Sequence, residues 1–237
     1  MGRPSLVFIV CSPHARVGVS TSARLLTEYY IWRNESVDGF DTDPHEPQYA
    51  ALFPQIVRVV DVADIKGQIS LFDRLLVNDG TPKIVDVWHR SYEGFFDTIG
   101  EIGFVEEARR RGVEPIVLFH ADATETSMAH AQALHAAWSD LTMMVVHNEA
   151  AAPLHPYARE VLARYPARGK FVIPPLDGPI VRALQDPQLS LARFLSSPPA
   201  HMSIVVRAAL KAWLMPIFTQ FQSFELRLEL ESSDALR

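Results

Sequence analysis

Short apolar runs bounded by turn residues alternate with longer stretches of helical periodicity along most of this chain, and that alternation limits its fold more than any other feature. Residues 6–10, 37–40, 56–62, 83–87, 115–119, 141–146 and 171–173 read as strands. Between them, 21–32, 69–77, 95–111, 124–138 and 156–164 read as helices. In the second of these, Ile69, Phe72, Leu75 and Leu76 share one face. The third ends in Arg109-Arg110-Arg111 before Gly112, as a helix C-terminus favours. The strands are apolar throughout, not on alternate residues, so both of their faces are buried. Such strands separated by helices predict an α/β fold: a mostly parallel, twisted sheet with helices on both faces. From residue 197 the pattern changes. Pro198-Pro199 precede a helical pattern from about 201 to 230, with a break expected near Pro216. The expected organisation is an α/β domain over 1–196 and a C-terminal helical extension over 197–237.

Composition narrows the function classes. Hydrophobic residues make up 48% of 237, enough for one large core. A formal net charge of -6 disfavours a protein that coats nucleic acid with its whole surface, and leaves room for a local basic patch. The single cysteine, Cys11, allows no internal disulfide and fits a reducing compartment. The apolar run near the N-terminus is too short for a signal peptide. No stretch reads as the ~18–20 apolar residues of a membrane span. The expectation is a soluble, cytoplasmic protein.

The first strand, its loop and the following helix, LVFIVCSPHARVGVSTSARLLTEYY, have the outline of a phosphate-binding unit. Such a loop works because successive backbone N–H groups and a helix N-terminus face an anion. The consensus is G-x-x-x-x-G-K-[ST]. Here Pro13 stands in the first glycine slot and Val19 in the lysine slot, while Gly18 and Ser20 remain. The strict motif is not met. The bland alternative makes Gly18 a strand-to-helix turn and Ser20 or Thr21 an N-cap.

The context carries more than the motif. SPHARVGVSTSARLLTEY resembles the phosphate loop of the ParA/MinD family of partition and division-site-positioning ATPases. GFDTDPHEPQYAALF resembles that family's segment after the second strand, with Asp41 and Asp43 in its two aspartate positions. KIVDVWHRSYEGFFD is similar to its Walker B strand, ending at Asp86. MMVVHNEA resembles the strand whose terminal asparagine, here Asn148, contacts adenine, and FVIPPLDGPIVRAL the proline loop beside the base, with Pro174. The five segments fall in the family's order over roughly residues 5–195. The resemblance implies a P-loop NTPase-like fold that binds ATP or ADP with Mg²⁺. It also implies a nucleotide-contacting set of Pro13, His14, Ala15, Arg16, Val17, Gly18, Val19, Ser20 and Thr21 with Asn148 and Pro174. Ser20, Asp41 and Asp86 would hold Mg²⁺, and Asp41 and Asp43 are the candidates for a catalytic role.

The departures from the family bear on activity. His14 takes the place of its signature lysine, Val19 that of the lysine on the β- and γ-phosphates, and Ala15 and Arg16 those of two glycines. An ammonium at ~4 Å from a phosphate is worth about 4 kcal/mol at an effective dielectric near 20, and an isopropyl group supplies none of it. Phosphoryl transfer relies on neutralising such charge. Little or no hydrolysis is therefore expected, with nucleotide state setting dimerisation or partner binding in the positioning or partition of DNA, division machinery or other cargo. Two alternatives stay open. Arg16 can pair with phosphate and support weak ATPase activity, or the chain is a nucleotide-free interaction module.

Other features point elsewhere less strongly. His45, His89 and His147 read as lying just past strand C-terminal ends, where ligands collect in open α/β sheets. His130 and His135 lie five apart, not at the i, i+4 spacing of a helical zinc site. A Ser-His-Asp hydrolase lacks its G-x-S-x-G elbow. Arg109–Arg111 suit a DNA-contacting patch or, more simply, complement a helix dipole. The tail is apolar through Ile204, Ala208, Trp213, Phe218, Phe221 and Phe224. Arg207 and Lys211 are its only basic residues there, which is poor for anionic lipid. Packing on the domain, on a second copy in a homodimer, or on a protein partner is the expectation, and membrane binding is not expected.

Overall fold

The structure, a computed structural model, describes residues 4–122, 124–151 and 156–234. The last three residues of the expected 197–237 extension lie outside them. In chain order the first half holds β1 (Ser5–Cys11), α1 (Val19–Trp32), β2 (Asp38–Asp41), α2 (Gln48–Leu52), β3 (Val57–Val59), α3 (Ile65–Leu75), β4 (Lys83–Asp86) and α4 (Tyr92–Glu101). The second half holds α5 (Phe104–Arg110), β5 (Val113–His120), α6 (Glu125–Ala137), β6 (Thr142–Asn148), α7 (Pro156–Ala163), β7 (Gly169–Ile173), α8 (Gly178–Leu184), α9 (Leu191–Ser196) and α10 (Ile204–Asp234).

The seven strands form one sheet in the order β3-β2-β4-β1-β5-β6-β7, and every pairing is parallel. Central β1 shows why its sequence is apolar throughout. Val7, Ile9 and Cys11 enter the apolar layer that includes residues of α3 to α7. Leu6, Phe8 and Val10 enter the opposite layer, with α1, α2 and α8 to α10. Register then places the functional end. Val10 pairs with Asp86, and Asp86 with Asp41, so β1, β4 and β2 finish level.

Several elements differ from the sequence expectation. The helix predicted over 95–111 is two helices, because Gly103 adopts φ 60 and starts α5 in a new direction. α3 starts earlier than its apolar pattern and buries Leu71, Phe72 and Leu75, leaving Ile69 58% exposed. The strand predicted over 56–62 pairs only over Val57–Val59, although Val60 and Val62 stay buried. The short helices α2, α8 and α9 have too few turns to show periodicity in sequence.

The predicted break at Pro216 does not occur: α10 runs through it. The helix is held by one face. Leu210, Leu214, Ile217, Phe218, Phe221 and Phe224 are buried at helical spacing, each contributing roughly 1.5–3 kcal/mol if fully transferred from water. Polar contacts fix its register. Gln220 accepts from the Val172 N–H at 2.9 Å and donates to the Val172 carbonyl at 3.0 Å, so it serves as a pairing partner for edge strand β7. Buried Glu225 accepts from Tyr29 and Tyr30 and pairs with Arg33 at 2.5 Å, joining α10 to α1. Contrary to the sequence expectation, Ile204–Glu231 is by length and composition apolar enough to cross a membrane. Its large aromatic side chains are spent on the sheet layer instead.

Candidate functional site

The β1–α1 loop closes over the level ends of β1, β2 and β4. Gly18 is the residue before α1, with φ 102 and no side chain capping the helix. This corrects the N-cap alternative for Ser20 and Thr21, which lie in the first turn. The first-turn N–H groups of a helix have no intrahelical partner and attract an anion. Glycine is required at position 18 twice over. A Cβ there would sit 2.3 Å from Asn148 Nδ2, on a backbone that L residues rarely adopt. The loop is latched from beneath. The Val17 carbonyl accepts from Asn148 Nδ2 at 3.2 Å and contacts His120 Nδ1 at 3.2 Å. Ser12 Oγ donates to the His120 carbonyl at 3.1 Å and accepts from the His14 N–H at 3.2 Å.

A cleft of about 550 Å³ lies over this end of the sheet. The structure brings His14, Ala15, Arg16, Gly18, Val19, Ser20 and Thr21 to it, together with Asp41, Asp43, Asp86 and Asn148. Pro13 and Val17 are not on its wall; Val17 serves through its carbonyl. Pro174 lines a neighbouring cavity, and its carbonyl accepts from Trp213 Nε1 at 2.8 Å. Val19 is half-buried against the α1-side apolar layer. His14 is turned to Asp122, 2.5 Å away. Arg16 is exposed on a left-handed backbone, φ 62, and its side chain has no hydrogen bond or ion pair among the described residues. It is the arginine on the cleft wall.

The three aspartates differ in what they are free to do. Asp41 is committed to the backbone: Oδ1 accepts from Asp43 N–H at 3.1 Å, and Oδ2 from Tyr49 and Ala50 N–H at 2.9 and 3.0 Å. It thereby caps α2. Burial raises its pKa, and those donors pull it back. Asp43 organises its own turn, accepting from His45 and Glu46 N–H. Asp86 is 4% exposed and lies beside the Ser20 hydroxyl. Burial, with the charges of Asp41 and Asp43, pushes the Asp86 carboxyl up to about 7, against the lowering effect of Ser20. A carboxyl in that state takes up a proton or a cation near neutrality.

Ser20 beside Asp86 offers one hydroxyl and one carboxylate. That fits Mg²⁺, which takes one or two protein carboxylates and fills its shell with phosphate and water. Among the described residues, no group of three or more His, Cys, Asp or Glu is placed to hold a metal ion. Of the histidines, His89 lines the cleft, with burial and then Arg90 lowering its pKa. His45 packs edge-on to Trp88 at 5.5 Å. His147 lies inside β6 and is buried, not past the strand end as expected. The arginine run is paired with carboxylates: Arg109 with Asp140 and Glu114, Arg110 and Arg111 with Glu107.

Three contributors escape sequence reading. His120 supports the loop, Thr42 ties β2 to β4, and Gln48 lines both cavities. Thr42 Oγ1 donates to the Asp86 carbonyl at 3.1 Å and accepts from Trp88 N–H at 2.8 Å. The one available signal was position, since His120 and Thr42 lie at strand C-terminal ends.

No protein-family model matches the sequence, and no curated protein matches it. The chain is similar to a solved nucleotide-binding protein from Archaeoglobus fulgidus in complex with ADP. The identity is 14% and the TM-score 0.46, covering 74% of this chain and 84% of that one. It is also similar to the signal recognition particle 54 kDa protein from Aeropyrum pernix K1 in complex with GDP. There the identity is 16% and the TM-score 0.51, covering 95% of this chain and 51% of that one. The chain thus spans about half the length of the second protein. With the all-parallel seven-stranded sheet, this likeness shows a P-loop NTPase-like α/β fold.

Proposed function

We propose that the chain is a nucleotide-binding protein of the ParA/MinD type that turns over little or no nucleotide. One observation carries the reading: an uncapped, 14-residue helix begins at Val19, just after Gly18, and sets its second residue, Ser20, beside buried Asp86. The helix N-terminus supplies donors and partial positive charge for phosphate. Ser20 and Asp86 would hold Mg²⁺ against that phosphate. Asp41 supports the site by capping α2 and by its charge. Among the described residues no lysine lines the cleft, and Asp41, Asp43, Glu46 and Asp86 face it. Charge developing on a γ-phosphate therefore lacks its usual counterion. In this reading nucleotide state sets association with a second copy or a protein partner, in the positioning or partition of cargo.

Titration calorimetry of ATP and ADP with Mg²⁺, into the wild-type chain and Val19→Lys, tests the proposal. Micromolar binding by the wild type supports a regulatory or structural nucleotide. Binding by Val19→Lys alone means an intact pocket that has lost only its charge. If neither binds, the nucleotide reading fails. A second reading is favoured by the exposed, unpaired Arg16 on the cleft wall: slow Mg²⁺-dependent phosphate release that Arg16→Ala abolishes.

A further inference from the structure

On the face of the sheet opposite α1 and α10, a groove of about 410 Å³ runs between α4 and α6. Its lining extends from His130 to Trp138 along α6, about 12 Å of helix. A row of rings in mutual contact underlies it. His130 meets Tyr92 edge-on at 5.4 Å, Tyr92 meets Phe96 at 4.9 Å, and Phe96 meets Trp138 at 6.3 Å. Trp138 comes against α4 at Gly100, where a Cβ would lie 3.6 Å from its Cζ2. The α6 edge is low, because the exposed residues lining it there, Ala133 and Ala137, carry only a methyl group each.

The α4 edge carries charge of one sign. Glu93, Asp97 and Glu101 are exposed and stand four residues apart, which places them in one stripe about 12 Å long. Glu93 and Asp97 line the groove itself. Neither α4 nor α6 contains a lysine or an arginine. Glu93 is 84% exposed and reaches His130 Nε2 only at 3.8 Å. Asp97 and Glu101 make no ion pair among the described residues. Arg90, just before α4, lies over the Trp88 ring at 5.4 Å. Like charges at i, i+4 destabilise a helix. A carboxylate in the last turn also opposes the helix dipole, and Glu101 ends α4. The stripe therefore works against α4, and positive charge from another molecule would relieve it.

Shape and charge together select the occupant. A groove between two helices, with a low alanine edge, lets a third helix approach to the ~8–10 Å usual between packed axes. An extended segment would find no sheet edge there to pair with, and the carboxylate stripe repels the phosphates of nucleic acid. A helix rises at the same rate as α4, so basic residues four apart on it meet Glu93, Asp97 and Glu101 in turn. We propose that the α4–α6 groove docks an amphipathic helix of a protein partner, its apolar face over the ring row and its lysines or arginines against the α4 carboxylates. The docking needs no nucleotide and does not involve α10, so it stands apart from the function proposed above.

The test titrates fluorescein-labelled peptides into the full chain and follows anisotropy. The probe is a leucine/lysine peptide of about 18 residues with one apolar and one basic face, long enough to fold as a helix on contact. Its controls are a leucine/glutamate counterpart and a leucine/lysine peptide of scrambled order. Two variants alter the groove from exposed positions: Glu93→Lys with Asp97→Lys reverses the stripe, and Ala137→Trp fills the space. Asp73→Lys with Glu160→Lys makes the same change of charge on α3 and α7, outside the groove. Far-UV circular dichroism confirms that each variant is folded. The amphipathic basic peptide should bind the wild type about tenfold or more tighter than either control peptide. Both groove variants should lose about tenfold or more of that affinity, and the charge-matched variant should stay within about threefold of wild type. Equal loss in the charge-matched variant would show general attraction to an acidic protein and overturn the proposal. Equal binding of the scrambled peptide, or no peptide binding, would overturn it too. Self-association of the wild type that both groove variants abolish would give the groove to a second copy. Benzamidine binding that they abolish, with no peptide binding, would make it a site for small cations. Either result also rejects the helical partner. None of these outcomes bears on Mg²⁺-ATP binding, which is titrated separately.

Discussion

Asp86→Asn should make the free protein more stable at alkaline pH relative to the wild type. The wild-type carboxyl is buried and pushed up to about 7, against about 3.9 in an unfolded chain. Between those values the unfolded state has released its proton and the folded state has not. The folded chain binds more protons, so its stability falls as pH rises through this window. The slope is about 1.36 kcal/mol per pH unit for one proton. From pH 5 to pH 7 that amounts to about 3 kcal/mol, and above pH 7 the loss is complete. Asparagine carries no such charge. Urea unfolding of both proteins at pH 5 and pH 8, without nucleotide or Mg²⁺, isolates the effect as a difference between proteins, so other titrating groups cancel. The variant should gain about 3 kcal/mol on the wild type between the two pH values. In the presence of Mg²⁺-nucleotide the order should reverse, since the wild-type carboxylate is then paired. An unchanged difference between pH 5 and pH 8 would refute the assignment of Asp86 as a carboxyl whose charge is disfavoured by burial.

Further outcomes follow from the loop and the tail. Gly18→Ala forces a side chain onto φ 102 and against Asn148, and should cost roughly 1–3 kcal/mol or more in thermal unfolding; an unchanged melting temperature would contradict the observed loop. Buried His120 has its pKa pushed down to about 4 by desolvation. Its contribution is therefore present above about pH 6.5 and lost as pH falls toward 4, by about 3 kcal/mol, and a His120→Gln variant should lack that acid-side loss in urea titrations. Glu225→Gln weakens the links to Tyr29, Tyr30 and Arg33, for about 1.5–3 kcal/mol. Hydrogen exchange should quicken first in α10 and at Val172; uniform quickening across the sheet would show that α10 does not open as a separate unit.

Reading from the chain alone, the seven strands and the parallel α/β class were legible because both faces of the sheet are covered. That leaves continuous apolar runs no other fold class explains as simply. The strand-loop-helix unit at the N-terminus was legible too, through Gly18 and Ser20 at the end of an apolar strand. What a sequence cannot carry is register across strands distant in the chain. Only pairing of β1, β4 and β2 brings Asp86 beside Ser20 and buries it, and burial is what shifts its carboxyl. Only the fold shows that Asp41 spends one oxygen on the Asp43 N–H and the other capping α2, a helix too short to announce itself. Gly103 hid the α4–α5 break inside one apolar pattern, and Pro216 suggested a break that packing on the sheet layer overrides. The cavity beside the cleft is the fullest case: its walls include residues of α1, α2, α8, α9 and α10, and no local pattern records that five helices leave a space between them.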